Sequence, residues 1–399
     1  MNRKTLQICT QIFVSFFTLY GISTSLDARL YFLHIPKTGG TTIHTVLENQ
    51  IHLNELYPPR KASMANIPVN HEFVSGHFPF WFCAQLDPEF DQAFKFTILR
   101  DPVERVLSLL RYTKKHRPNL RSMNLDEIFE LLIHNESHKN DMTQNTISFL
   151  TSQPDLPEED VLKNAKDTLN KLDFVVFLDN FEQDTKELFE ALGIQWNTEF
   201  LPHTNTTEAE YVSPELLEKI KELNKLDIDL YEYAKKNKKT INSTYQFSSS
   251  SYKELLSKKN HIDYEFSMPL KGSGWCFREN VDRFSAEYPI YRWVMDKPAT
   301  INFNLEKNYA YTMEFTAQPI TPEIHPRVLI NGVEIIAKRL DNKLFSRYHC
   351  EIPSNLISDQ ETEITFFSPC SFQYNALYPE HADNRKLSFA VDSIQIIPK

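Results

Sequence analysis

The chain lacks the marks of several common protein classes. It has five cysteines, Cys9, Cys83, Cys276, Cys350 and Cys370, and this odd, scattered set gives no disulfide framework. It contains no C-x-x-C pair, no H-E-x-x-H and no G-x-x-x-x-G-K-[ST], so zinc sites and the magnesium-dependent nucleotide loop lack their signatures and no metal is expected. Positive charge is not in excess: 43 Lys and Arg against 53 Asp and Glu leave a formal charge of −10. Nucleic acid is therefore not an expected partner, and an acidic polymer would need a local basic patch. A long apolar run is also missing. Arg3 and Lys4 precede an apolar stretch over 6–20 that Gln7, Thr10 and Gln11 interrupt. It is short for a full span, and residues 1–28 read as a signal-like or membrane-anchor segment through which the protein would associate with a membrane. What the chain does have is core material, 41% apolar and 13% aromatic residues over 399 positions, enough for about two domains.

The stretch Phe-Leu-His-Ile-Pro-Lys-Thr-Gly-Gly-Thr-Thr at 32–42 is the most informative. An apolar run over 30–35 has strand length, Pro36 halts it, and Gly39 and Gly40 allow the backbone to turn and approach a ligand closely. The helix that follows offers unpaired amides. Backbone N–H groups of Gly39, Gly40, Thr41 and Thr42, the positive helix end, two hydroxyls and the Lys37 ammonium can surround a phosphate or sulfate. The lysine precedes both glycines here, the reverse of the Walker order.

A second strand-to-helix junction spans 96–108. Asp101 is placed as N-cap and Pro102 at the first helical position, while Val103, Val106, Leu107 and Leu110 form an apolar stripe. Arg100 then ends the strand and Ser108 lies two turns along the helix, a guanidinium and a hydroxyl able to clamp a phosphate monoester. A third junction follows, a short apolar strand over 174–178 leading through Asn180 into a helix ending near Gly193.

Together these residues resemble the sulfotransferases that use 3′-phosphoadenosine 5′-phosphosulfate (PAPS), most closely the carbohydrate and heparan sulfate O-sulfotransferase branch and its bacterial relatives. The run His34 to Thr42 looks like the 5′-phosphosulfate loop, which implies Lys37, Thr38, Gly39, Gly40, Thr41 and Thr42 as donor-binding residues. Arg100 and Ser108 match the 3′-phosphate site. The stretch 140–145 is similar to the family's Asn-x-x-x-Gln segment, although Asn145 stands where an arginine is expected. Asn224 to Asp227, with Leu230 and Tyr231, is similar to the closing helix, for which amphipathic packing is a sufficient account.

Sulfuryl transfer to a hydroxyl needs a base, and histidine titrates in the right range. Val-Ser-Gly-His-Phe-Pro-Phe at 74–80 places His77 at a strand end, where open α/β sheets bind ligands. The resemblance implies His77 as the catalytic base, with His71 in reserve and His34 inside the first strand as a packing residue. Lys37 would neutralise the phosphosulfate and meet the charge that builds on the leaving oxygen.

The expected fold is α/β, a P-loop-like parallel sheet flanked by helices, followed by an antiparallel β-sandwich. The sulfotransferase domain is expected over 29–240 and a serine-rich linker over 241–260. The sandwich, over 261–399, has strands at 299–305, 309–317, 328–330, 334–337, 346–352, 363–367 and 387–397, with a hairpin at Asn331-Gly332. Gly272 to Trp275, Arg292-Trp293 and 384–387 resemble jelly-roll modules attached to bacterial sugar-modifying enzymes, in which Trp275 and Trp293 fill the core or stack on sugars. The expected function is sulfuryl transfer from PAPS to a carbohydrate hydroxyl, and the alternative is a glycan-binding protein with an inactive sulfotransferase-like domain. The donor pool implies the cytoplasmic side of a membrane in a bacterium, or the Golgi lumen in a eukaryote, where the sequons at Asn135, Asn205 and Asn242 would matter.

Overall fold

The computed structural model describes residues 29–48, 51–52, 56–57, 72–153, 155–194, 210–239, 250–276, 278–280, 289–379, 383 and 385–399. Five short strands, β1 (Leu30–Leu33), β2 (Leu56–Tyr57), β3 (Phe73–Gly76), β4 (Phe94–Leu99) and β5 (Phe174–Phe177), form a parallel sheet in the order β2-β3-β1-β4-β5. Every residue of β1 and β4 is buried, because helices cover both faces of such a sheet. The two-residue strand period sends Tyr31 and Leu33 into one apolar cluster and Leu30 and Phe32 into the other.

Helices α1 (Gly40–Glu48), α2 (Phe80–Leu86), α3 (Pro102–His116), α4 (Leu125–Ile133), α5 (Glu136–Met142), α6 (Asn145–Phe149), α7 (Glu158–Leu169), α8 (Phe181–Ala191), α9 (Pro214–Leu223) and α10 (Lys225–Lys236) surround it. The Asp101 side chain accepts the Glu104 amide at 3.0 Å and Pro102 occupies the first turn, so α3 begins at the end of β4. Val106, Leu107 and Leu110 then fix α3 against α4 and α9.

More than amphipathic packing holds α10. Asn224 and Asp227 are both fully buried. Asn224 accepts the Gln144 amide at 3.2 Å and donates to the Met142 carbonyl at 3.0 Å. Asp227 accepts the amides of Thr146 and Ile147 at 3.0 and 2.8 Å, capping α6. The left-handed turn at Gln144, φ 49°, is thus clamped by buried polar groups whose hydrogen bonds offset their desolvation.

The remainder is antiparallel. After α11 (Ser250–Leu256) come β6 (Ile262–Glu265), β7 (Glu279–Asn280), β8 (Ile290–Met295), β9 (Ala299–Phe303), β10 (Tyr311–Pro319), β11 (Arg327–Ile330), β12 (Val333–Ile335), β13 (Lys338–Arg339), β14 (Ser346–Ile352), β15 (Thr362–Phe367), β16 (Phe372–Gln373) and β17 (Lys386–Pro398). One sheet runs β13-β14-β10-β17-β8-β7, with β6 and β16 also on β17, and the other runs β12-β11-β15-β9. A single apolar cluster fills the space between them. Asn331 and Gly332 both have left-handed backbone, φ 47° and 81°, and close the β11–β12 hairpin as the sequence indicates. Trp275 and Trp293 are core residues at 6% and 7% exposure, and the Trp275 indole donates to the Thr300 carbonyl at 2.8 Å. A Cβ on Gly272 would lie 1.8 Å from that same carbonyl oxygen, so only glycine lets this segment lie against β9.

The expected linker differs from the structure. Residues 241–249 lie outside the described residues, but Ser250–Leu256 is helical and its Leu255 packs on the sandwich core. That apolar contact overrides the polar local composition. Beyond it, the buried Arg278 donates to the Ile51 carbonyl at 2.6 Å and to the Met268 carbonyl at 2.8 Å, tying the antiparallel half to the chain just past α1. Cys83, Cys276, Cys350 and Cys370 are free thiols. The segment 1–28, with Cys9, lies outside the described residues, and among those described no helix is long and apolar enough to cross a membrane.

Candidate active site

The chain leaves β1 toward β3 and leaves β4 toward β5, so the carboxyl ends of β1 and β4 flank the point where the sheet's connections diverge. Lys37 lies in the loop after β1, and Arg100 is the first residue after β4. The loop is tight. Lys37 and Gly39 have φ of 70° and 85°, and a left-handed lysine costs roughly 1–3 kcal/mol that the surroundings must offset. An Arg100 guanidinium nitrogen donates to the Lys37 carbonyl at 3.2 Å, binding the two predicted anion-binding residues to each other.

The Lys37 ammonium sits 3.8 Å from the centre of the Tyr112 ring, a cation–π contact that sets α3 alongside the loop. Burial, and then the Arg100 charge, lower the Lys37 ammonium to about 8. Burial also lowers Arg100, against the pull of Glu104, whose carboxylate lies 3.7 Å away. Ser108 is half-buried on α3.

Thr38 departs from the simplest reading of the loop. Its side chain is buried and its hydroxyl donates to the Ile35 carbonyl at 2.8 Å, which leaves its amide for an anion. Gly39 and Thr41 are exposed, Thr42 is half-buried, and Gly40 opens α1. A Cβ on Gly40 would meet the His34 ring at 2.3 Å, so the start of α1 can close over that imidazole only as glycine.

His34 is not inside the strand. β1 ends at Leu33, and His34 stands at its carboxyl edge, stacked on Phe32 and 4.6 Å from the His77 ring. Burial first, and the neighbouring His77 second, push the His34 imidazole down to about 3. His77 follows β3 directly and is exposed. Its Nδ1 lies 2.7 Å from the His34 carbonyl oxygen, and since a carbonyl can only accept, Nδ1 carries the hydrogen. In the neutral ring this leaves the lone pair on Nε2. His71 lies outside the described residues.

Lys37, Arg100 and His77 therefore converge on the carboxyl edge of three neighbouring strands, with Ser108 on the helix beside them. Asn145, by contrast, is buried below the Gln144 turn. Tyr112 and Arg111 belong to this neighbourhood and were not singled out from the sequence. Their only signal was spacing, three and four residues after Ser108, which brings them to its side of the helix.

The model of the sulfotransferase family matches residues 21–234, and the chain belongs to that family. Among solved structures it is similar to the mouse sulfotransferase SULT7A1 complexed with PAP, at 14% identity over 53% of this chain and 84% of that one, TM-score 0.29. It is also similar to the C-terminal CBM6 of the laminarinase LamC from Zobellia galactanivorans, at 10% identity over 35% of this chain and 99% of that one, TM-score 0.24. A third is a β-1,3-glucan-binding CBM6 from Bacillus halodurans, at 9% identity over 36% of this chain and 98% of that one, TM-score 0.24. No curated protein matches the chain.

Proposed function

We propose that the protein is a PAPS-dependent O-sulfotransferase that sulfates a hydroxyl, most consistently on a carbohydrate. The observation that carries this reading is the coupled geometry of Lys37, Arg100 and His77: two cations joined through the Lys37 carbonyl, beside an imidazole held with Nε2 free. Lys37 and the amides from Thr38 to Thr41 would hold the phosphosulfate, the Thr42 amide being turned to the Gly39 carbonyl at 3.3 Å, and Arg100 with Ser108 the 3′-phosphate. His77 Nε2 takes the acceptor's hydroxyl proton as that oxygen bonds to sulfur. The bond from sulfur to the 5′-phosphate oxygen breaks, its electron pair stays on the phosphate, and Lys37 stabilises the charge. Positioning and electrostatics supply the catalysis, as in phosphoryl transfer. These residues need no metal for these roles. The enzyme would work wherever PAPS is available, on the cytoplasmic side of a membrane or in the Golgi lumen.

The carbohydrate acceptor rests on the likeness of the 32–42 and 74–80 stretches to the carbohydrate branch. A transfer assay with radiolabelled PAPS against a panel of glycans and small hydroxyl compounds tests it. Label on sugars alone supports the proposal, and label confined to small molecules or protein removes the carbohydrate assignment.

A further inference from the structure

Arg111 is the residue near the site whose chemistry is unaccounted for. It lies half-buried on α3, and among the described residues no carboxylate forms an ion pair with its guanidinium. Its Nε is enclosed and has no hydrogen-bond partner among the described residues, and an incompletely paired guanidinium costs free energy that an anion at its outer nitrogens would offset.

The helix places it. Glu104, Ser108 and Arg111 are spaced i, i+4 and i+7 and form one stripe of α3, with Tyr112 beside them. Both ends of this stripe are anchored: Glu104 lies 3.7 Å from Arg100, and Tyr112 carries the Lys37 ammonium on its ring at 3.8 Å. Arg111 thus flanks Ser108 on a surface bordered by Arg100 on one side and the Lys37 loop on the other. Arg111 lies close enough for its charge to add to the lowering of Arg100, and two guanidinium groups so near each other make sense around a dianion, the state of a phosphate monoester at neutral pH.

We infer that Arg111 is a third 3′-phosphate ligand, closing on the phosphate from the side opposite Arg100, and that it sets the preference for a 3′-phosphorylated adenine nucleotide over one lacking that group. The inference rests on the PAPS reading above.

The test is calorimetric titration of the full chain with 3′,5′-adenosine bisphosphate and, separately, 5′-AMP, using wild type, Arg111→Ala and Arg111→Lys, with thermal unfolding as the check on folding. Arg111→Ala should bind the bisphosphate about 10- to 100-fold more weakly, the scale of one charge-assisted contact, and 5′-AMP unchanged. Arg111→Lys should recover part of the loss. Equal losses for both nucleotides, or none in a folded variant, overturn the assignment while the PAPS reading stands. Unchanged bisphosphate affinity with a raised KM for a glycan acceptor also overturns it, moving Arg111 to the acceptor. Wild type that fails to bind the bisphosphate removes the donor reading and the inference with it.

Discussion

The edge of the parallel sheet and the surface of the sandwich hold their cations differently. In the sandwich, Arg385 is held by Asp383 at 2.9 Å and Glu279 at 2.6 Å, Arg327 by Glu334, and Lys271 by Glu361. At the carboxyl edge of the parallel sheet, Lys37 rests on an aromatic ring, Arg100 has one exposed carboxylate at 3.7 Å, and Arg111 has none among the described residues. Partnered cations tie strands and loops together and are worth little each at a surface. Cations gathered without partners are a cost to the fold that an anionic ligand removes, and they mark where the chemistry lies.

The histidines give the largest contrast. His77→Ala should lower turnover about 10²- to 10⁴-fold, the loss expected for general-base help. Because its ring is exposed, bisphosphate affinity and melting temperature should hold. His349, set in the sandwich between Glu314 at 3.6 Å and Glu351 at 2.9 Å, should tolerate alanine without any change in transfer rate. Initial rates with labelled PAPS compare the two.

Trp275→Ala reverses the pattern. It should cost about 3–5 kcal/mol in denaturant unfolding while nucleotide titration stays as in wild type, and loss of sugar binding without loss of stability would return Trp275 to a surface role. Next comes Lys37→Ala, expected to lower transfer about 10²- to 10³-fold with unfolding unchanged. Lys399→Ala in the sandwich, which removes only the ion pair with Glu351, should leave transfer alone.

The smallest effect is in pH. The unbound Lys37 ammonium titrates near 8, and an anion binds its charged form, so binding takes up a proton once pH exceeds that value. Bisphosphate affinity should therefore fall as pH rises above about 8, at most about tenfold per pH unit, and Lys37→Met should flatten that slope. A slope that persists in Lys37→Met assigns the titration to another group.

Much of this was legible locally. The 36–42 loop, the Asp101-Pro102 helix start and the Asn331-Gly332 hairpin each follow from a few adjacent residues; the last two take their expected form, and the loop turns at Gly39 as expected while the Thr38 hydroxyl donates to the Ile35 carbonyl. What escaped depends on distant contacts. His34 reads as strand interior until β3 brings His77 beside it from 43 residues away. Arg111 and Tyr112 look like a solvated helix face until the β1 loop is laid along α3. The serine-rich stretch reads as linker because nothing in it announces that Leu255 has a core to join. Asn224 and Asp227 fit a simple amphipathic helix, and only the Gln144 turn, about 80 residues earlier, explains why they are polar.

Transfer of labelled sulfate from PAPS, compared between wild type and Lys37→Ala on the same glycan panel, with 3′,5′-adenosine bisphosphate binding measured alongside, tests the central claim most directly. Wild type should label a sugar hydroxyl and bind the bisphosphate, and folded Lys37→Ala should label it about 10²- to 10³-fold more slowly. A wild-type protein that binds glycans but labels none of them, or a Lys37→Ala protein that transfers as well as wild type, would contradict it and leave a glycan-binding protein with a silent sulfotransferase fold.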